Sequence, residues 1–158
     1  MKTLSQEQLF HIVDNLNWYD IAYRAYTNRK EGQEYFVYLN LKNGEIEYSP
    51  DNLESDELVL LLYIDSDYPY YKEWDYEQFL SDDEYDECYD LIDNGFVDTL
   101  EEAMEYLDID VDDFMEYLDD VDDFYVEWLA KDAAKMAGLA KKEIVEKLPI
   151  LNNNKKEV

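Results

Sequence analysis

The stretch that decides the fold is residues 73–130, which read EWDYEQFLSDDEYDECYDLIDNGFVDTLEEAMEYLDIDVDDFMEYLDDVDDFYVEWLA. It holds 24 Asp and Glu and no Lys or Arg. A disordered acidic tail lacks the apolar residues that build a core, whereas aromatic and aliphatic residues occur throughout this stretch. It is therefore predicted to fold with a strongly negative outer surface. The core candidates are Trp74, Phe79, Leu91, Ile92, Phe96, Leu107, Phe114, Leu118, Phe124, Trp128 and Leu129.

Helix signals recur along this acidic half. Residues 81–83, Ser-Asp-Asp, are typical of a helix start, and residues 94–95, Asn-Gly, of a helix end. Thr99 with Glu102 predicts a capping box. The clearest helix follows, because apolar residues recur at spacings of three and four across 111–129. We expect the acidic half to be entirely helical.

Before residue 73 the pattern predicts a helix and then a sheet. Ser5 is a good N-cap for the first helix. The apolar period then changes to two, and residues 21–27 and 35–41 predict a β-hairpin. Asn-Gly at 43–44 favours a tight type I′ turn into a third strand at 45–48. An antiparallel meander is therefore expected.

Two further segments complete the predicted α+β fold. The apolar run 58–64 fits a buried strand or a capped helix, and a fourth strand is the preferred interpretation. Pro149 is expected to end an Ala- and Lys-rich helix before a polar tail. The predicted divisions are 1–72, a helix plus antiparallel sheet, then 73–130, the acidic helical half, and 131–158, the C-terminal helix and tail. The sequence does not decide whether the C-terminal basic residues pair with the acidic helices.

The net charge of the chain limits the kinds of molecule that it can bind. A net charge of −28 on 158 residues excludes bare nucleic acid and anionic membranes and favours basic partners. Adaptation to high salt would spread acids over all surfaces, yet residues 131–158 carry four acids against seven basic residues. The single cysteine, Cys88, forms no internal disulfide, and no apolar run has the length of a signal peptide or membrane span. A cytoplasmic protein is expected.

Several roles compete for the acidic residues. Charge runs are usually solvated helix faces, but like charges four apart cost stability, and the ladder Asp112, Glu116, Asp119 and Asp123 has no basic neighbour in sequence. Residues 108–119 place acids at EF-hand calcium positions, without the glycine and the final glutamate of that loop. Catalysis is not expected, because no histidine or activated nucleophile accompanies the carboxylates.

The remaining interpretation is mimicry of a polyanion. Eight acids lie between Asp112 and Glu127, along about 24 Å of helix at about 1.5 Å per residue. That is one charge per roughly 3 Å, near the one phosphate per about 3.4 Å of a DNA strand. Residues 99–114 also look like a helix-turn-helix, but the second helix would present Asp112 and Asp113 to DNA, which would repel them.

By its size, its charge and its cluster of acids with tyrosines and helices, the chain resembles small acidic inhibitors of host defence, namely ArdA-type antirestriction proteins and acidic anti-CRISPR proteins. The resemblance implies a stoichiometric inhibitor, without a cofactor, that occupies the nucleic-acid groove of a CRISPR-Cas or restriction nuclease. The alternative is an acidic module that binds a basic host protein such as a nucleoid protein. The candidate partner-binding residues are Asp82, Asp83, Glu84, Asp86, Glu87, Asp108, Asp110, Asp112, Asp113, Glu116, Asp119, Asp120, Asp123 and Glu127, with Tyr68, Tyr70 and Tyr71.

Overall fold

The structure, a computed structural model, describes residues 3–73 and 79–156, and it confirms the α+β class. Trp74, a predicted core residue, lies outside the described residues. Two compact units are formed, the first by Met1–Tyr71 with Tyr125–Val158 and the second by Lys72–Phe124. The described elements are α1 (Gln6–Asp14), α2 (Trp18–Asn28), β1 (Tyr35–Asn40), β2 (Ile46–Ser49), β3 (Leu58–Ile64), α3 (Asp82–Asp93), α4 (Leu100–Tyr106), α5 (Val111–Lys135) and α6 (Ala137–Lys156).

The first helix begins where the sequence predicts. Ser5 Oγ accepts the Gln8 N–H at 3.1 Å, and Gln8 Oε1 accepts the Ser5 N–H at 2.9 Å. This reciprocal pair satisfies two backbone donors that the helix start leaves without partners. Leu9 and Val13, four residues apart, are the buried residues of α1.

The predicted strand at residues 21–27 is wrong, because the segment lies in helix α2. Asn17 caps this helix by accepting the Asp20 N–H at 3.1 Å. Its buried residues, Ile21, Ala22, Ala25 and Tyr26, recur with the period of a helix. Alanine also favours helix and is depleted in strands. The strand prediction followed from the β-branched and aromatic residues of this segment, Ile21, Tyr23 and Tyr26, whose side chains favour strands.

The sheet has three antiparallel strands in the order β2-β1-β3, so it is not the predicted meander. Strand β1 is central because β2 and β3 pair with its opposite edges. The predicted type I′ turn is also wrong, since it requires a positive φ at both central residues. Only Gly44 has one, at +74°, and the Gly44 N–H donates to Asn40 O across a longer loop.

Strand β3 confirms the preferred interpretation of the apolar run. Its pairing with β1 shifts register between Val37 and Tyr38, which is a bulge. The bulge places one extra residue in β3, so that both Leu61 and Leu62 are buried while Leu60 and Tyr63 are exposed.

One face of the sheet carries the core of the first unit. Near one end, α1 and α6 pack on Leu39 and Val59. Near the other end, α2 and the second half of α5 pack on Val37 and Ile64. The opposite face buries a smaller cluster of Phe36, Tyr38 and Leu58. The result is a layer of helices on a sheet, which removes the apolar side of each element from water.

A buried arginine fixes the loop that follows β3. Arg29 is 1% exposed, and its guanidinium donates to the backbone oxygens of Gln33, Asp65, Ser66 and Pro69. Because an arginine has five donors in a rigid fork, one side chain joins the end of α2 to the chain 36–40 residues later. The contact holds the tyrosine-rich loop 68–71 against the end of α2, within the first unit.

The second unit builds its core from α3 and α4. Leu80, Cys88, Ala103 and Met104 are buried together. Ser81 forms the predicted cap of α3, since its Oγ accepts the Glu84 N–H at 3.3 Å. The predicted end at 94–95 is confirmed as well, with Gly95 at a φ of +76°.

The start of α4 differs in one detail. Thr99 Oγ1 accepts the Glu102 N–H at 3.2 Å, as predicted. The Glu102 carboxylate, however, accepts the N–H of Asp98 at 3.1 Å and not that of Thr99. The cap is present, but the predicted reciprocal box is not.

The C-terminal helix is longer than predicted. Pro149 lies inside α6, which continues to Lys156. Burial of Leu148 and Leu151 on either side of the proline stabilises the helix beyond the position where proline removes a hydrogen bond. Among the described residues, no helix has both the length and the apolar content that crossing a membrane requires.

Two lysines of α6 contact other elements of the first unit. Lys141 forms an ion pair with Asp14 of α1. Lys147 donates to the backbone oxygens of Ser55 and Leu58, at 3.0 and 2.6 Å. These contacts fasten α6 to α1 and to the start of β3.

Candidate protein-binding surface

Helix α3 has a continuous acidic face. With 3.6 residues per turn, its exposed acids lie within an arc of about 140°, opposite the buried Cys88. Glu84 stands apart because its carboxylate accepts the Ser81 N–H at 3.1 Å, so it serves the helix cap. The exposed acids are Asp82, Asp83, Asp86, Glu87, Asp90 and Asp93.

A tight turn joins α4 to α5. Asp108 has a φ of +61°, a conformation that Asp tolerates better than most residues. Asp110 Oδ1 accepts the Asp112 N–H at 2.9 Å, which satisfies a donor in the first turn of α5. The two helices and their turn thus follow the predicted helix-turn-helix order.

The calcium interpretation is contradicted by the same segment. An EF-hand needs a twelve-residue loop whose backbone wraps around the ion. Residues 111–119 lie in α5, so only the first three residues of the 108–119 segment are outside a helix. Among the described residues, no group of three or more His, Cys, Asp or Glu side chains is placed to hold a metal ion.

Helix α5 carries the longest acidic face. At about 100° per residue, its exposed acids between residues 112 and 127 fall within an arc of about 120°. The buried Phe114 and Leu118 lie on the other side of the helix. The seven exposed acids between residues 112 and 127 are Asp112, Asp113, Glu116, Asp119, Asp120, Asp123 and Glu127.

Two acids of α5 differ from the sequence expectation. Asp122, the eighth of the acids between residues 112 and 127, is 5% exposed, and its Oδ1 accepts the Lys72 N–H at 3.2 Å. It therefore stabilises the fold instead of adding to the outer face. Asp119 does have a basic neighbour, since its Oδ1 lies 3.3 Å from Lys72 Nζ. Lys72 was not foreseen because it precedes the acidic stretch by one residue.

Two aromatic residues of α5 were predicted to be core but are exposed. Phe124 and Trp128 are 57% and 59% exposed. They are four residues apart and therefore neighbours on one side of the helix, next to the acidic arc. The buried positions are taken by Val126 and Leu129 instead. Phe96, another predicted core residue, is 68% exposed.

The tyrosines of the 68–71 loop pack against other residues of the first unit. Tyr68 Oη donates to Tyr125 O at 2.8 Å, and the Tyr68 ring meets the Tyr26 ring edge-on. Tyr71 contacts the same Tyr26 ring at 6.0 Å between centroids. Tyr68 and Tyr71 thus serve packing, and they are half-buried, as is Tyr70.

Cys88 is not an activated nucleophile. It is fully buried, and burial raises the pKa of its thiol, with the charges of Glu84 and Glu87 raising it further. A raised pKa lowers the fraction of thiolate, the reactive form.

Comparisons with protein-family models, with curated proteins and with solved structures found no match for the chain. The function is therefore argued from the residues and their arrangement.

Proposed function

We propose that the chain is a non-enzymatic inhibitor that occupies the basic nucleic-acid groove of a host-defence nuclease, a CRISPR-Cas effector or a restriction enzyme. The observation that carries the proposal is the outer face of α5. Without the buried Asp122, seven exposed acids over about 24 Å give one carboxylate per roughly 3.4 Å. A DNA strand carries one phosphate per about 3.4 Å of its axis.

The loss of helix stability caused by clustering like charges on this face supports a functional role. Like charges four residues apart destabilise a helix by a few tenths of a kcal/mol per pair, and Asp112, Glu116 and Asp120 form such a series. Acids in the first turn are favourable because they face the positive end of the helix dipole, and Asp112 and Asp113 gain from this. The acids further along α5 lie beyond the reach of that effect.

Aromatic neighbours give the face a second kind of contact. Phe124 and Trp128 are exposed beside the acids, and aromatic residues are enriched where proteins bind each other. A basic groove offers arginine side chains that pair with carboxylates and stack on aromatic rings. The combination fits a protein partner with a basic groove better than it fits a simple solvated face.

Competition for DNA tests the proposal. The chain is added to a panel of Cas effector complexes, restriction enzymes and nucleoid proteins that hold fluorescent DNA. We expect it to release DNA from its target. Its own binding to the target should weaken as salt rises, because its contacts with the nuclease are ionic. If DNA is released only from nucleoid proteins, the alternative function is supported and the nuclease proposal is wrong.

Charge reversal by position provides the matched control. One variant replaces Asp112, Glu116, Asp120 and Asp123 by Lys, which leaves the ion pair of Asp119 in place. The other replaces four exposed acids of the first unit, Glu31, Asp51, Glu54 and Asp56, with the same change of net charge. Inhibition should be lost only in the first variant. Equal losses of inhibition in the two variants would mean that net charge alone matters. Full inhibition by the first variant would exclude the α5 face as the binding surface.

A further inference from the structure

An apolar cleft of about 350 Å³ lies in the first unit, beside strand β3. Consecutive residues 60–63 of β3 line one side, so the cleft follows the strand's edge and not one of its faces. Met136 and Leu139, at the junction of α5 and α6, line the other side. Both of these residues are more than half exposed, and contiguous exposed apolar patches often mark interaction sites.

Strand β3 is an edge strand. It pairs with β1 on one side, and in the described part of the chain no strand pairs with its other side. Its first residue is protected, because Lys147 Nζ donates to Leu58 O at 2.6 Å. Proteins commonly protect an exposed edge with a lysine in this way. The protection ends before Leu60, where the cleft begins.

The charges around the cleft define what can bind there. Acids flank β3 in sequence, Asp56 and Glu57 before it and Asp65 and Asp67 after it. Asp132 and Glu143 line the cleft itself, and Glu143 already pairs with Lys147 at 3.1 Å. An apolar edge with acidic ends is complementary to a segment with an apolar centre and basic ends.

A second copy of the chain is a poor occupant. Antiparallel pairing of β3 with its own copy would place Asp56 of one chain near Asp65 and Asp67 of the other. Each copy also carries a net charge of −28, and like charges across an interface oppose association.

We propose that the β3 edge binds an extended segment of a protein partner, which adds as a fourth strand. Backbone hydrogen bonds to β3 hold the segment, an apolar side chain fills the cleft between Leu60 and Leu139, and basic residues at the segment's ends face the flanking acids. The inference uses the first unit and does not depend on the inhibitor proposed above.

A pair of peptides tests the inference on the full chain. The probe is a fluorescent peptide with a Val-Thr-Val-Thr centre and two lysines at each end. Its partner has the same side chains but is N-methylated at alternate central residues, which removes the donors that strand pairing needs. We expect binding at physiological salt, and binding at least about tenfold weaker for the methylated peptide, since several charge-independent hydrogen bonds are lost. Equal binding of the two peptides would show adsorption to an acidic surface and would overturn the inference.

Two variants of α6 locate the contact. Leu139→Glu places a charge in the cleft, whereas Val145→Glu adds the same charge at an exposed apolar residue that does not line it. The first should weaken binding of the lysine peptide about tenfold or more and the second should not. An ionic effect alone would strengthen binding in both variants and would overturn the inference. A dimer in light scattering that Leu139→Glu dissociates would overturn it as well, in favour of a second copy.

Discussion

Two separate features of the structure require glycine at position 44. Its φ of +74° is costly for any residue with a Cβ. An added Cβ would also lie 2.7 Å from Ile12 Cδ1 and 2.8 Å from Leu4 Cδ1. The loop between β1 and β2 therefore approaches α1 as closely as it does only because the residue is glycine.

Three glycine-to-alanine variants separate these two features. Gly44→Ala should destabilise the protein most, by about 1–2 kcal/mol for the left-handed backbone with a further cost for the crowded side chains. Gly32, at a φ of +70° with nothing near an added Cβ, should show the backbone cost alone. Gly138, which lies in α6 with open space around it, should become up to about 1 kcal/mol more stable as alanine. Urea unfolding measures all three variants. Equal losses of stability in the first two would show that contact of the added Cβ with Ile12 and Leu4 adds no cost.

Tyr68 gives the first unit a dependence on alkaline pH. Burial raises the pKa of Tyr68 above its ordinary value of 10.0, and the charges of Tyr125 and Asp132 raise it further. Above pH 10 the unfolded tyrosine ionises while the folded one stays neutral. The stability that the neutral group provides is thus fully present below pH 10 and is lost as the pH rises toward the folded pKa.

Tyr68→Phe should therefore be less stable than the natural protein at pH 8, by about 1 kcal/mol for the hydrogen bond to Tyr125 O, and the gap should narrow at pH 11. The hydrogen bond to Glu34 raises the pKa of Tyr63 to about 12. Tyr63 therefore lowers the stability of both proteins as the pH rises, and it does not affect the gap between them. Urea unfolding at the two pH values is the measurement, with the exposed Tyr106→Phe as control. A constant gap between pH 8 and pH 11 would contradict this account.

At the scale of elements, local signals predicted the helices that begin with clear caps. Ser5, Ser81 and Thr99 each accept the N–H three residues on, and all three helix starts were predicted. Helix α2 was missed because the short polar cap Asn17 precedes a run of tyrosines whose strand propensity outweighed the helical spacing of its alanines. The strand order was beyond local signals, since it depends on the pairing of β3 with β1 across the whole sheet.

The candidate surface on α5 was predictable only in part. Helical spacing placed most acids on one side, but the helix alone does not show that Asp122 is turned inward by Lys72 or that Phe124 and Trp128 are turned outward. Those outcomes depend on which neighbouring element covers each side of α5. The cleft beside β3 was not predicted at all, because residues from three elements line it.

Pro149 interrupts a helix that continues past it, so its replacement should stabilise α6. Pro149→Ala restores an N–H that can donate to Val145 O and removes the ring's clash with that carbonyl. We expect a gain of about 1–3 kcal/mol in the free energy of unfolding. Pro149→Gly should gain about 1 kcal/mol less than alanine, which provides the control. Thermal unfolding measures both, and a loss of stability in the alanine variant would mean that the proline's own packing matters more than the missing hydrogen bond.

Over the whole molecule, charge is divided unequally between the two units. The second unit, Lys72–Phe124, carries 23 acids and one lysine, a net charge of −22. The first unit carries 18 acids and 12 basic residues, a net charge of −6. Because repulsion among like charges opposes a compact state, the second unit should be the less stable one at low ionic strength. Among the described residues, its buried cluster has four members, fewer than either of the two main clusters of the first unit.

Added salt should therefore protect the second unit more than the first. Raising sodium chloride from about 10 to about 150 mM shortens the distance over which charges interact from about 30 to about 8 Å, and the melting temperature should rise. Amide hydrogen exchange resolves the units. Protection should increase more at Ala103 and Met104 than at Val37 and Leu39, which are buried in the first unit. Calcium and magnesium chloride at equal ionic strength should act alike, since α5 leaves no EF-hand loop. An equal gain of protection in both units would show that repulsion within residues 72–124 does not limit their stability.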